Sequence, residues 1–177
     1  MPIPNTLYIM RQKLILFLVL SASLASCNTD KKSVTDKDIL KIKMTLENLA
    51  LDNLKYWEPP FNEEKFLEFF TQRNDFSFAV DGFHVTNYED WVGIVYESME
   101  EDRNNHKEYR DVIHNIETEV INEDYGFVTI DYVWDYTTNE DIHYNVKSIV
   151  TMLFRNEDNK WKIMNTHCSH GETRIVD

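Results

Sequence analysis

Between Asp36 and Trp57 the apolar residues Ile39, Ile42, Leu46, Leu49, Ala50 and Leu54 recur at threes and fours, which places them on one face of a long helix. Thr35, with Asp38 three residues on, supplies a capped start, and Pro59-Pro60 supplies the stop. Asn62 is positioned to cap a second, shorter helix that carries Phe66, Phe69 and Phe70. A short strand over 76–80 closes at Asp81-Gly82, a dipeptide suited to a tight turn. A third helix opens near Thr86 or Asn87 and runs through Trp91, Ile94, Val95 and Met99 into the charged stretch 100–105.

After Lys107 the period changes to two. The triplet Asn-Glu-Asp occurs at 122–124, 139–141 and 156–158, each time between β-rich runs. The equal spacing of 17 residues predicts four strands of similar length, over 109–121, 125–137, 142–155 and 160–170, joined by polar turns into an antiparallel meander. Strands this long twist and curl, and a curled sheet has a concave side. Alternation assigns Val128, Ile130, Tyr132, Trp134 and Tyr136 to that side, with Tyr144, Val146, Ser148, Val150, Met152 and Phe154 on the next strand. Similar counting groups Val112, His114, Ile116, Thr118 and Val120, and then Trp161, Ile163, Asn165, His167 and Ser169. The expected class is α+β, three N-terminal helices packed on a strongly curved antiparallel sheet.

Upstream of the first helix, Arg11 and Lys13 precede an apolar run over 14–20, and Leu24-Ala25-Ser26-Cys27 follows it. A charged start, a short apolar stretch and small residues form an export signal. The run is shorter than the ~20 residues of a membrane span. The four residues ending at Cys27 resemble the lipobox of bacterial lipoproteins, in which the cysteine becomes the multiply acylated first residue of the mature chain. That resemblance divides the chain into a signal peptide over 1–26, a lipidated Cys27 with a polar tether over 27–35, and one domain over 36–177. It implies a bacterial cell envelope location, anchored to a membrane through lipid. Removing 26 of 177 residues leaves 151 and takes the formal charge from −13 to −15, since only Arg11 and Lys13 are lost. With Cys27 acylated, Cys168 is the remaining thiol and reads as a small core or interface residue. So acidic a chain, with no basic stripe, is a poor partner for nucleic acid.

Three helices, a long curved meander, and the closing run Trp161-Lys162-Ile163 with His167-Cys168-Ser169 resemble the SnoaL-like branch of the cone-shaped α+β superfamily. That superfamily includes nuclear transport factor two, ketosteroid isomerase and scytalone dehydratase. The resemblance implies helices capping the concave face and a deep pocket open at one end. The fold hosts enzymes, binding modules and dimerisation domains alike, so it supplies a cavity and not a reaction.

Three functions follow as expectations. The first is binding of a small, mostly apolar molecule among Trp57, Phe70, Phe83, Trp91, Tyr132, Trp134 and Tyr144, with His114, Asn165 and His167 orienting its polar atoms. The second is an isomerase or dehydratase with Asp81 or His167 as acid or base, which requires a carboxylate and an imidazole facing each other in the cavity. Asp131 and Asp135 alternate outward, which leaves Asp81 as the acid, a residue that the turn also explains. The third is a non-catalytic interaction domain. The outward positions Ile113, Ile121, Phe127, Val133, Ile149 and Leu153 make a homodimer through the outer sheet face plausible. No cofactor or metal is expected. His167 and His170, three apart on a strand, point to opposite faces, and the acidic turns read as solvated hairpin tips.

Overall fold

A computed structural model describes residues 35–176, so the signal, Cys27 and most of the tether lie outside the described residues. Helix α1 (Asp36–Lys55) starts at a capping box, in which Thr35 accepts from the Asp38 backbone while its own N–H donates to the Asp38 carboxylate. Its buried stripe is Leu46, Ala50 and Asn53. Asn62 caps α2 (Glu63–Leu67), and Asn87 caps α3 (Tyr88–Asn105) by accepting from Glu89 and Asp90. Helix α3 continues to the end of the charged stretch, and its buried residues are Trp91, Val95 and Met99. Among the described residues no helix is long and apolar enough to cross a membrane.

The strands are β1 (Ser77–Val80), β2 (Phe83–Val85), β3 (His106–Val120), β4 (Tyr125–Thr138), β5 (His143–Glu157) and β6 (Lys160–Val176). They form one sheet in the order β2-β1-β6-β5-β4-β3. The meander from β3 to β6 is antiparallel, as its pattern indicates. The sheet as a whole is mixed, because β1 pairs parallel with β6, and β2 adds an edge strand that its three residues were too few to signal. Asp81 and Gly82, and likewise Asp158 and Asn159, both have positive φ and close two-residue hairpins.

Four register shifts interrupt the alternation, near His106 and His114 on β3 and near Met164 and Gly171 on β6, and two of them reorient the residues around the site. On β3, Ile113 faces Tyr132 and Asn115 faces Asp131, which leaves His114 as the extra residue. On β6, Ile163 faces Phe154 while Asn165 faces Leu153, which leaves Met164 extra. Ile163 is held there by the chain leaving α2, since it donates to the Phe69 carbonyl and accepts from Thr71 N–H. A bulge of one residue flips the facing of everything on its far side.

The sequence-based assignments fail at these two points. Before the β3 bulge the cavity-side residues are Tyr109, Asp111 and Ile113, so Val112 faces outward and His114 is exposed. Past the β6 bulge they are Thr166, Cys168 and His170, so Asn165, His167 and Ser169 turn to the outer face and His167 is exposed. The core fills one end of the fold with Leu46, Ala50, Val128, Ile130, Phe154 and Ile163, all fully buried.

Candidate functional site

Toward the other end of β4, Tyr132 and Trp134 continue the inner row but meet open space, a cavity of about 480 Å³ between sheet and helices. Val150, Met152, Thr166, Cys168 and His170 complete its sheet wall, and Phe78 and Val80 of β1 close one side. Asn53, Leu54, Trp57, Phe66 and Phe70 cover it from the α1–α2 side, with Trp91, Ile94 and Ser98 of α3 opposite. Phe83, Glu101 and Asn105 line it yet are themselves exposed, and they mark its mouth. Much of the wall is aromatic: Phe78 stacks on Trp91 with centroids 4.0 Å apart, Phe70 meets Trp91 edge-on, and Tyr109 and Trp134 lie 5.6 Å apart.

The polar groups in this lining fall into three clusters. At the β1–β6 wall, His170 Nδ1 lies 2.6 Å from Asp81 Oδ2, and the His170 backbone N–H donates to Asp81 Oδ1 at 2.9 Å. These two bonds hold the Asp81 carboxyl below its ordinary range. The other ring nitrogen, Nε2, lies 3.6 Å from Cys168 Sγ, which in turn lies 3.6 Å from the Tyr132 hydroxyl. The Cys168 sulfur foremost, and then the Asp81 carboxylate, raise His170 to about 9 against the burial that lowers it.

At the opposite wall, burial and the nearby Glu58 push Asp111 up to about 7, partly offset by the positive charge of His170. Its backbone N–H donates to Glu58 Oε1 at 2.6 Å, and its buried Oδ1 has no hydrogen-bond partner among the described residues. Near the mouth, Trp57 Nε1 donates to Asp102 at 2.8 Å, and His106 lies 3.5 Å from the same carboxyl, whose pKa burial raises.

Of the residues expected at a site, Trp57, Phe70, Phe83, Trp91, Tyr132 and Trp134 line this cavity. Tyr144 does not; it stacks on Tyr136 with centroids 5.2 Å apart. His114, Asn165 and His167 lie elsewhere: Asn165 donates to Ser77 Oγ, and the exposed His167 faces Thr151 across the outer side of the sheet. Asp81 both makes its turn and meets an imidazole, but that of His170. Asp111, Asp102 and His106 escaped the sequence reading, and His170 was weighed there only as a metal ligand. The available signal for Asp111 was its place two residues after Tyr109, in phase with an aromatic. Among the described residues no three His, Cys, Asp or Glu side chains converge as metal ligands do.

Solved structures of similar fold include the hexachlorocyclohexane dehydrochlorinase LinA-type3 from Novosphingobium barchaimii, at a TM-score of 0.66 and 14% identity, covering 80% of this chain and 94% of that one. A putative scytalone dehydratase from Novosphingobium aromaticivorans matches at 0.66 and 13%, covering 80% and 92%. A ketosteroid isomerase-like protein from Erwinia carotovora atroseptica matches at 0.60 and 13%, covering 73% and 96%. At such identities the likeness is one of fold. No curated protein matches the chain. The model of the SnoaL-like domain matches residues 61–171, most of the chain, from just before α2 into β6. With the order of elements and the capped cavity, that match makes this chain a member of the SnoaL-like domain family.

Proposed function

We propose that this is a lipid-anchored protein of the bacterial envelope whose cavity binds a small, mostly apolar molecule bearing one polar group. The cavity carries the reading. At about 480 Å³ it falls within the roughly 300–1,000 Å³ range of small-molecule sites, with aromatic walls and few polar groups. Trp57, Trp91 and Trp134 line it, so binding should change the tryptophan emission. The anchoring half of the proposal rests on the Leu24-Ala25-Ser26-Cys27 pattern alone. A homodimer through the outer sheet face belongs to the same proposal.

The test is native mass spectrometry of protein extracted from its own host's membranes, followed by a fluorescence titration with any molecule that co-purifies. A stoichiometric ligand lost from a Val150→Trp variant, which fills the cavity, supports the reading. A ligand held equally by that variant overturns it. Labelling of the chain by palmitate, abolished in Cys27→Ser, tests the anchor.

A second reading, proton-transfer catalysis, is favoured by one observation: Asp111, with its pKa near neutrality and an unpartnered oxygen, shares the cavity with the imidazole of His170. This pair supplies the inward acid and imidazole that an isomerase or dehydratase needs, at positions other than Asp81 and His167. Dehydrochlorinase and dehydratase neighbours accord with that chemistry. Deuterium uptake into the bound ligand, lost in Asp111→Asn while binding persists, would support turnover; binding without exchange would leave a binding protein.

A further inference from the structure

Cys168 and His170 are two apart on β6 beyond its bulge, so both side chains face the cavity. The sulfur, the imidazole and a carboxylate stand in sequence: Sγ to Nε2 at 3.6 Å, and Nδ1 to Asp81 Oδ2 at 2.6 Å. The second Asp81 oxygen is tied to the His170 backbone, which fixes the carboxylate relative to the ring. This is the order of nucleophile, base and orienting acid. A structural cysteine behaves as a small hydrophobe among hydrocarbon. Cys168, only 6% exposed, instead has an imidazole and the Tyr132 hydroxyl within reach of its sulfur and cavity space before it.

A second observation points to a ligand at this wall. Thr166, on the same face and 3% exposed, lines the cavity with its hydroxyl unpartnered among the described residues, and so does Trp91, 2% exposed, with its indole N–H. Buried polar atoms left without partners cost about 1–3 kcal/mol each, and a carbonyl oxygen in the cavity would relieve that cost. Acyl transfer fits poorly here. Cys168 lies in an interior strand between Val150 and Val80, where backbone N–H groups belong to the sheet ladders and do not form an oxyanion hole.

We propose that Cys168 is a nucleophile, with His170 as its base and Asp81 as the positioning acid, that adds reversibly to a small apolar ligand carrying a carbon–carbon double bond conjugated to a carbonyl. The proposal rests on the small-molecule reading of the cavity. The proton shared by Cys168 and His170 is held on His170 Nε2, whose charged form the sulfur and the Asp81 carboxylate favour, and the sulfur lone pair forms a bond to the β-carbon. The π pair moves onto the carbonyl oxygen as an enolate, and the α-carbon then takes the proton back from His170. The product is a thioether with the summed mass of protein and ligand. No redox partner is consumed.

The test uses the full-length protein in detergent with 2-cyclohexen-1-one as probe and cyclohexanone as its saturated control, read by peptide mass mapping and tryptophan emission. The expected result is a cyclohexenone adduct on the Cys168 peptide, formed faster than on glutathione at equal concentration. His170→Gln should slow it about 100-fold at pH 7, the scale of general-base assistance, with recovery at alkaline pH where a thiol ionises unaided. Asp81→Asn should slow it less. Should His170→Gln fail to fold, the wild-type pH profile decides. A sulfur whose proton is already held by an imidazolium that stays charged up to about 9 changes rate by less than about tenfold from pH 6 to 8, whereas a lone thiol gains about tenfold per pH unit below its pKa. The lone-thiol profile, an unaltered rate in His170→Gln, or the absence of an adduct overturns the proposal. Emission changes with both ketones and no adduct would overturn it while leaving the binding cavity intact. No response to either ketone, and no adduct, would count against both.

Discussion

Asp111 is placed against its solvation preference. It shares a face with Tyr109 and pairs across the sheet with Trp134, and burial followed by repulsion from Glu58 moves its pKa from 3.8 to about 7. A carboxyl raised by folding contributes stability that is fully present below its unfolded pKa and is lost as pH rises through about 7. Asp111→Asn keeps the shape and removes the charge. It should therefore be more stable than the wild type at pH 8, by up to about 4 kcal/mol, the equivalent of that displacement. The two proteins should converge near pH 4. Urea denaturation at pH 4, 6 and 8 measures this, and a difference independent of pH would mean that Asp111 ionises as freely in the fold as in the unfolded chain.

Among the elements, α1 and β4 come close together at Gly126. A Cβ there would stand 2.6 Å from Leu46 Cδ1 and 2.9 Å from the Glu119 carbonyl oxygen, and the first is a fully buried side chain while the second is backbone. Gly126→Ala should cost about 1–3 kcal/mol, as overpacking of a filled core does, seen as an earlier urea midpoint with unchanged slope. The elements themselves were largely legible in sequence. Thr35, Asn62 and Asn87 mark three helix starts because their side chains bond backbone N–H groups that the helix leaves free; the first two Asn-Glu-Asp triplets fall between strands, and the third ends β5 and begins its turn at Asp158. The site was legible only in its aromatic half. Trp57, Phe70, Trp91, Tyr132 and Trp134 come from helices and from the unbulged strand β4, where periodicity holds. Of the polar half, Asp102 lies on α3 and Asp81 in the β1–β2 turn, while His106, Asp111, Thr166, Cys168 and His170 come from the bulged strands β3 and β6. No residue type announces an extra residue at His114 or Met164, since the shift at Met164 is set by contacts of Ile163 with Phe69 and Thr71, distant in sequence. One skipped residue exchanged His167 for His170, and another hid Asp111.

At the scale of the whole molecule the sheet has two working faces. The inner one is divided between core and cavity. The outer one carries Val112, Phe127, Val133, Ile149 and Leu153, with Phe127 directly opposite Leu153 and Val112 directly opposite Val133. Ile149 is 50% exposed and Val112 is 37% exposed, so this apolar surface meets solvent in a single copy of the chain. A net charge of −13 repels a second copy at long range, and apolar burial must exceed that repulsion for two copies to associate. The face should therefore pair with itself, residue against residue about a two-fold axis. The proposed anchor gives such a dimer a second effect, two lipidated Cys27 residues on one assembly, which strengthens retention at a membrane. Ile149→Asp puts a carboxylate in the middle of this face, beside Asp131 on β4. Sedimentation equilibrium should give the mass of two chains for the wild type and of one for Ile149→Asp, with an unchanged far-ultraviolet dichroism spectrum. It should also show the wild-type dimer tightening at high salt, as screening removes the charge repulsion and leaves the apolar contact. A wild type that sediments as one chain at every salt concentration would mean that the outer face stays in water, and that the lipid alone must hold each copy.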